Sequence, residues 1–189
     1  MNVTARNSEV LHRYLSDMRT LEIYMIEAFQ VHEREKDLQA NENASALISR
    51  ALCILGQHID RMDRRLGELE EQAEDNQAAS PSTMGLFVNF MTRLHSEEVS
   101  EILRDGYTMI NLAAIGYTML HTAALAMDDV VTAELSLGHL CEFTPLVREV
   151  NQIMPSALID ELGREFPLPN PNAAEAARHN TEQAWHLSA

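Results

Sequence analysis

The chain has 189 residues, of which 46% are hydrophobic and only 7 are glycine and 6 proline. Its formal net charge is -15 and Lys36 is its single lysine, which argues against binding nucleic acid or an anionic membrane surface, because both need a basic protein face. Long segments rich in alanine, leucine, glutamate and methionine predict an all-α domain with a sizeable core.

The first predicted helix runs from about Ser8 to Glu35 and carries an inward-facing seam with one anomalous residue. Apolar side chains recur at steps of three and four, the spacing of a helix packed in a bundle. Glu22 lies in the middle of this seam, where a carboxylate is costly unless it is protonated, paired or bound to a metal. The seam consists of Leu11, Leu15, Met18, Glu22, Met25, Phe29 and His32.

A second helix is expected after the polar turn at 37–43 and should end near Asp75. Two long helices joined by a short turn form an antiparallel hairpin, which places Glu22 roughly opposite His58. The seam of this second helix is predicted at Ile48, Leu52, Leu55, Ile59, Met62, Leu66 and Leu69.

The second half of the chain predicts another antiparallel hairpin. After a break around Pro81, we expect a short crossing helix over 84–94 and a third long helix over 96–127. A fourth helix to about Met154 should kink or break near Cys141 because of Pro145, and Pro155 should open a short last helix over 156–165. Residues 1–166 then form one bundle domain, and residues 167–189 form a linker with a weakly helical or disordered tail.

The segment Tyr107 to Met127 contains no Asp, Glu, Lys or Arg and is long enough to span a bilayer. Because it also contains three threonines, an asparagine and a histidine and has no clear basic flank, we prefer a buried bundle helix to a transmembrane helix. Cys53 and Cys141 are predicted to be buried, reduced thiols. Residues 1–7 lack the apolar core of a signal peptide, so we expect a cytoplasmic protein.

A metal site would need ligands from several helices. Bundles that bind two metals take a glutamate from each of two helices and Glu-x-x-His from each of the other two. Here Leu55 stands three residues before His58, and the fourth helix has the reversed order His139-x-x-Glu142. The candidate metal ligands are therefore Glu22, His58, His139 and Glu142, which are too few to hold two hard cations.

If the core binds no metal, the candidate ligands should have hydrogen-bond partners within the protein. Glu22 would be bonded by Tyr14, Tyr117 or His58, and each histidine would be half-buried and hydrogen-bonded to a neighbour. In that case we expect Glu22→Leu to be tolerated or stabilising.

At these residues the chain resembles the bacterial YciF-like ferritin-like family. The segment Leu15–Phe29 looks like that family's first helix, and His58-Ile-Asp-Arg-Met-Asp63 looks like the end of its second-helix motif. Tyr117-Thr-Met-Leu-His121, then Glu142, and Gln152-Ile-Met-Pro155 look like its second hairpin. Over residues 10–162 the resemblance implies a ferritin-like four-helix bundle with an extra C-terminal helix, often dimeric and linked to stress responses. It also implies a di-metal site, whose ligand positions are matched here by Glu22, Glu142 and His58.

Two functions are expected from these residues. The first is a ferritin-like bundle that has lost most of its di-metal site, needs no cofactor, and acts as a stress-related or structural homodimer rather than an enzyme. The second is a protein with a reduced, mononuclear site for iron, manganese or zinc and a weak oxidase or metal-buffering activity. A partner-binding helical module is a third class, for which the sequence indicates no partner.

Overall fold

The computed structural model describes residues 3–72 and 98–186, which form an all-α bundle. The predicted fold class is confirmed at this level, because the described part of the chain contains six helices and no β-strand. In chain order they are α1 (Val3–His32), α2 (Lys36–Ala40), α3 (Glu42–Gln72), α4 (Val99–Ala126), α5 (Val130–Glu165) and α6 (Ala173–His186). The predicted crossing helix at 84–94 lies outside the described residues.

The four long helices α1, α3, α4 and α5 pack as a ring in which neighbours are antiparallel. α1 contacts α3 and α4, and α5 contacts the same two helices. It follows that α3 and α4 are diagonal and parallel, and that α3 ends at the opposite end of the bundle from the start of α4. The contacts that set these directions are His12–Glu70 and Glu33–Ser49, Met18–Gly116 and Phe29–Gly106, Arg50–Glu149 and Arg65–Thr132, and Tyr117–His139 and His121–Ala133.

The core seam of α1 is confirmed, since all seven predicted positions are buried, including Glu22. The seam of α3 is displaced by one residue at every second position. Ala51, His58 and Arg65 are buried where Leu52, Ile59 and Leu66 were predicted, and those three are only half-buried. The displacement brings a histidine and an arginine into the core, where groups on other helices bond them.

α5 is one continuous helix that contains both Pro145 and Pro155, so the predicted break near Cys141 and the separate last helix are wrong. A proline frees the carbonyl four residues earlier. Pro145 and Cys141 both lie on the exposed side of α5, where water can bond that carbonyl. Cys53 and Cys141 are exposed free thiols rather than buried ones, because they lie on the outer faces of α3 and α5.

Two short helices complete the described structure. α2 lies within the predicted polar turn and buries Leu38 against the bundle. α6 lies in the C-terminal tail and packs on α5, where Arg178 donates hydrogen bonds to the Gln152 carbonyl at 3.2 Å and to Ser156 Oγ at 3.0 Å. The tail therefore includes a docked helix.

Among the described helices, α4 is the one long and apolar enough to cross a membrane by length and composition. One face of α4 packs against α1 and α5, and 33% of its most apolar window is buried. α1 approaches α4 closely, since a Cβ added at Gly116 would lie 2.5 Å from Met18 Sδ. The opposite face of α4 is exposed.

Candidate functional site in the bundle core

Glu22 is fully buried and is bonded by residues from both neighbouring helices. His58 Nδ1, on α3, lies 3.0 Å from Glu22 Oε1. The Tyr117 hydroxyl, on α4, donates to the same oxygen at 2.6 Å. The predicted proximity of Glu22 and His58 is therefore confirmed, and Tyr117 bonds Glu22 as well.

His58 joins this buried carboxylate to a second one at the protein surface. Its Nε2 lies 2.8 Å from Glu142 Oε2, and Arg61 donates to both Glu142 oxygens at 2.9 and 3.1 Å. The side chain of Glu142 is 36% exposed, whereas that of His58 is fully buried. The network therefore reaches solvent at Glu142 and Arg61.

His139 is bonded through Tyr117. Its Nδ1 lies 2.8 Å from the Tyr117 oxygen. Because the one hydroxyl proton of Tyr117 goes to Glu22, His139 Nδ1 has to donate, and its Nε2 therefore carries the lone pair. The His139 ring stacks on the His58 ring with centroids 3.6 Å apart and planes within 1° of parallel.

These six residues form one chain of contacts, which we call the core network. It joins all four long helices at one level of the bundle, because α1, α3, α4 and α5 each contribute at least one member. In order from the surface to the interior, the members are Arg61, Glu142, His58, Glu22, Tyr117 and His139.

The pKa shifts of the two carboxyl groups assign the protons of this network. Burial raises the pKa of Glu22, and the bonds from His58 and Tyr117 offset only part of that effect. Burial also acts to raise the pKa of Glu142, but the hydrogen bonds from Arg61 and His58 outweigh it and lower that pKa. Glu142 is therefore ionised and accepts from His58 Nε2, whereas burial favours the protonated form of the Glu22 carboxyl group.

The donor set fits one divalent ion better than two. Glu22, His58 and His139 each offer a ligand atom, and these atoms lie within 4.8 Å of one another. Glu22 Oε2 and His139 Nε2 are buried and have no hydrogen-bond partner among the described residues. Among the described residues a second ion lacks ligands, because Leu55 is buried in place of a carboxylate and α4 contributes Tyr117 at this level.

The stacked histidines oppose shared binding of even one ion. An imidazole lone pair lies in the plane of its ring. Two parallel rings 3.6 Å apart therefore cannot both point at one ion unless one of them turns. Each ring nitrogen of His58 also lies within hydrogen-bond distance of a carboxylate oxygen, so binding an ion through His58 would break one of these bonds.

His139 makes the stability of the protein depend on pH. Burial, together with the charges of His58 and Arg61, lowers the pKa of His139 from 6.5 to about 2. Below pH 6.5 the unfolded chain binds a proton that the folded chain excludes, so stability falls as pH falls toward 2. Between pH 7 and 5 the wild type should lose about 2 kcal/mol more than His139→Gln, measured by urea unfolding at each pH. Equal losses in the two proteins would show that His139 does not titrate in this way.

A second buried ion pair lies along α3, near the start of α5. Arg65 is 5% exposed and donates to Thr132 Oγ1 at 2.9 Å and to Asp129 Oδ2 at 2.5 Å. The other Asp129 oxygen accepts from the Thr132 backbone N–H at 2.9 Å and so caps α5. Arg65 also bonds Glu68 Oε2 at 2.8 Å. This cluster was not predicted from the sequence, although Arg65 lies seven residues after His58 and therefore on the same helix face.

The structure brings all four predicted site residues together and adds Tyr117 and Arg61 to them. Arg61 could have been found from its position three residues after His58, which places both on one side of α3. No family model, no curated protein and no solved structure matches the chain.

Proposed function

We propose that this protein is a ferritin-like bundle without a di-metal centre and that it has a structural, stress-related role through self-association. The helix directions support a ferritin-like fold. α3 and α4 are parallel and diagonal, so the chain between them connects opposite ends of the bundle, and ferritin-like bundles have one such long crossover.

The observation that carries this proposal is the bonding of His58. A metal-binding histidine gives the ion a nitrogen lone pair. Here both nitrogens of His58 face carboxylate oxygens, at 3.0 and 2.8 Å, and the ring is stacked on His139. The side chains that would coordinate a metal are thus hydrogen-bonded to one another instead.

An activity assay tests the non-catalytic part of the proposal. The full chain is mixed with Fe(II) in air, and Fe(III) formation is followed by absorbance. We expect oxidation no faster than in protein-free buffer, because the core formed by residues 3–72 and 98–186 lacks the carboxylates that bind a pair of irons. Oxidation that scales with protein concentration and is lost in Glu22→Ala would overturn the proposal.

A single-ion site is the second candidate, and the two unpartnered buried atoms favour it. Glu22 Oε2 and His139 Nε2 are of the ligand types that zinc, manganese and iron accept. An ion that binds only the folded state raises the melting temperature. If this candidate holds, Zn²⁺ or Mn²⁺ should raise the Tm of wild type and leave that of Glu22→Ala/His139→Ala unchanged. Equal shifts in both would assign the effect to surface binding.

A further inference from the structure

The exposed side of α4 carries a second helical seam. Its positions recur at steps of three and four, as do those of the buried seams. Between Tyr107 and Met127 the helix has no charged residue in a chain of net charge -15. The outer seam consists of Thr108, Asn111, Ile115, Thr118, Thr122 and Leu125, with Met119 beside it.

The polar side chains of this outer seam bond to the backbone of their own helix. Each one donates to a carbonyl of its own helix four residues earlier, at distances of 2.8 to 3.0 Å. Such bonds satisfy each hydroxyl proton and one of the two Asn111 amide protons within the helix. The large side chains Ile115, Met119 and Leu125 are 55%, 54% and 56% exposed. The outer seam can therefore pack against another apolar surface.

Charges at the two ends of the seam indicate which surface covers it. Arg104 lies one turn before the seam, its side chain is 59% exposed, and it bonds Asp105 of its own chain at 2.8 Å. Exposed Asp128 follows the end of α4. When two copies of α4 pack antiparallel with Ile115 and Thr118 at the centre, Arg104 of each copy falls opposite Asp128 of the other. The arginine then also lies near the negative end of the partner's helix dipole.

We propose that the outer seam of α4 is the interface of a homodimer, in which a second copy packs its own α4 antiparallel across a two-fold axis. This inference rests on the self-association in the proposed function, and it names the residues through which the two copies associate. A second copy suits the seam because two acidic chains can meet closely only where neither contributes net negative charge. A helix of 28 residues is about 42 Å long, enough for an extended helix–helix contact.

A lipid bilayer suits the seam less well. Only one face of α4 is available, because the other face packs on α1 and α5 and places Tyr117 in the core network. Insertion of the whole helix would break those contacts. Adsorption on an anionic surface is opposed by the net charge of -15.

The test is the solution mass of the full chain, measured by sedimentation at about 100 µM. We expect a dimer for the wild type, and for Ile115→Glu/Met119→Glu a rise in Kd of at least about 100-fold. Val31→Glu is the matched control, because Val31 is 58% exposed on α1, away from the seam, and this variant should remain dimeric. Circular dichroism should be unchanged in all three proteins.

Cross-linking tests the orientation independently. With Cys53 and Cys141 replaced by serine, Thr118→Cys should form a disulfide-linked dimer. Thr108→Cys should cross-link to Leu125→Cys in a mixture and not to itself. Self-cross-linking of Thr108→Cys would overturn the antiparallel arrangement.

The outcomes separate this interface from the broader proposal. A dimer that survives Ile115→Glu/Met119→Glu would overturn the interface and leave self-association in place. A monomeric wild type would overturn both. Co-sedimentation of a monomeric wild type with phosphatidylcholine vesicles, lost in the glutamate variant, would assign the seam to lipid instead.

Discussion

Glu22→Leu is expected to lower the free energy of unfolding by about 3–5 kcal/mol, because removing one partner of a buried, bonded pair leaves the other without compensation. Glu22 Oε1 accepts from the Tyr117 hydroxyl and lies 3.0 Å from His58 Nδ1, and all three residues are fully buried. Without Glu22, His58 Nδ1 loses its buried hydrogen-bond partner and the Tyr117 hydroxyl loses its acceptor. These contacts reverse the expectation from sequence that Glu22→Leu is tolerated. Denaturant unfolding at pH 7 measures the loss.

Two further variants make this prediction specific. Glu27→Leu makes the same chemical change at an exposed position of α1 and should alter the free energy by less than about 0.5 kcal/mol. Glu22→Leu/His58→Leu should be less destabilised than the sum of its single variants, because the second change removes the ring nitrogen that the first leaves buried without a partner. A loss below about 1 kcal/mol for Glu22→Leu would contradict the bonding described for the core network.

Asp129→Ala is expected to cost about 2–4 kcal/mol, since it removes the more buried of the two carboxylates that bond Arg65, leaving Glu68, and also removes the N-cap of α5. The side chain of Arg65 is 6% exposed and that of Asp129 is 16% exposed, so water replaces little of the lost pairing. The measurement is again the free energy of unfolding at pH 7.

Matched variants separate the two contributions of Asp129. Asp129→Asn keeps a side-chain acceptor for the Thr132 N–H and loses only the charge, so it should fall between wild type and Asp129→Ala. Glu149→Ala breaks the ion pair with Arg50, whose side chain is 50% exposed, and should change stability little. Similar losses of unfolding free energy in Glu149→Ala and Asp129→Ala would show that the burial of Arg65 does not increase the cost of removing its ion-pair partner.

The features of the fold and of the site that the sequence predicted correctly are those that helical periodicity determines. The step of three and four residues located every buried position in the α1 seam, and the length of the first turn placed Glu22 opposite His58. Both follow from the geometry of one helix or one hairpin. The bundle class itself follows from composition, because few glycines and prolines interrupt long apolar periodicities.

The parts that were missed depend on contacts between helices. An apolar pattern assigns Leu52, Ile59 and Leu66 to the core, yet α3 buries their neighbours His58 and Arg65 instead. Burying those two is favourable only because Glu22 and Asp129 lie on other helices to bond them. The continuity of α5 through Pro145 depends on which side of the helix faces solvent. None of these facts can be read from one segment.

The central claim is that the core network bonds its own members in place of a metal. The most direct measurement is the metal content of protein purified from cells supplemented with iron and manganese, determined by mass spectrometry. The proposal predicts a content far below one ion per chain, equal in wild type and Glu22→Ala. Stoichiometric metal in the wild type that disappears in Glu22→Ala would contradict it.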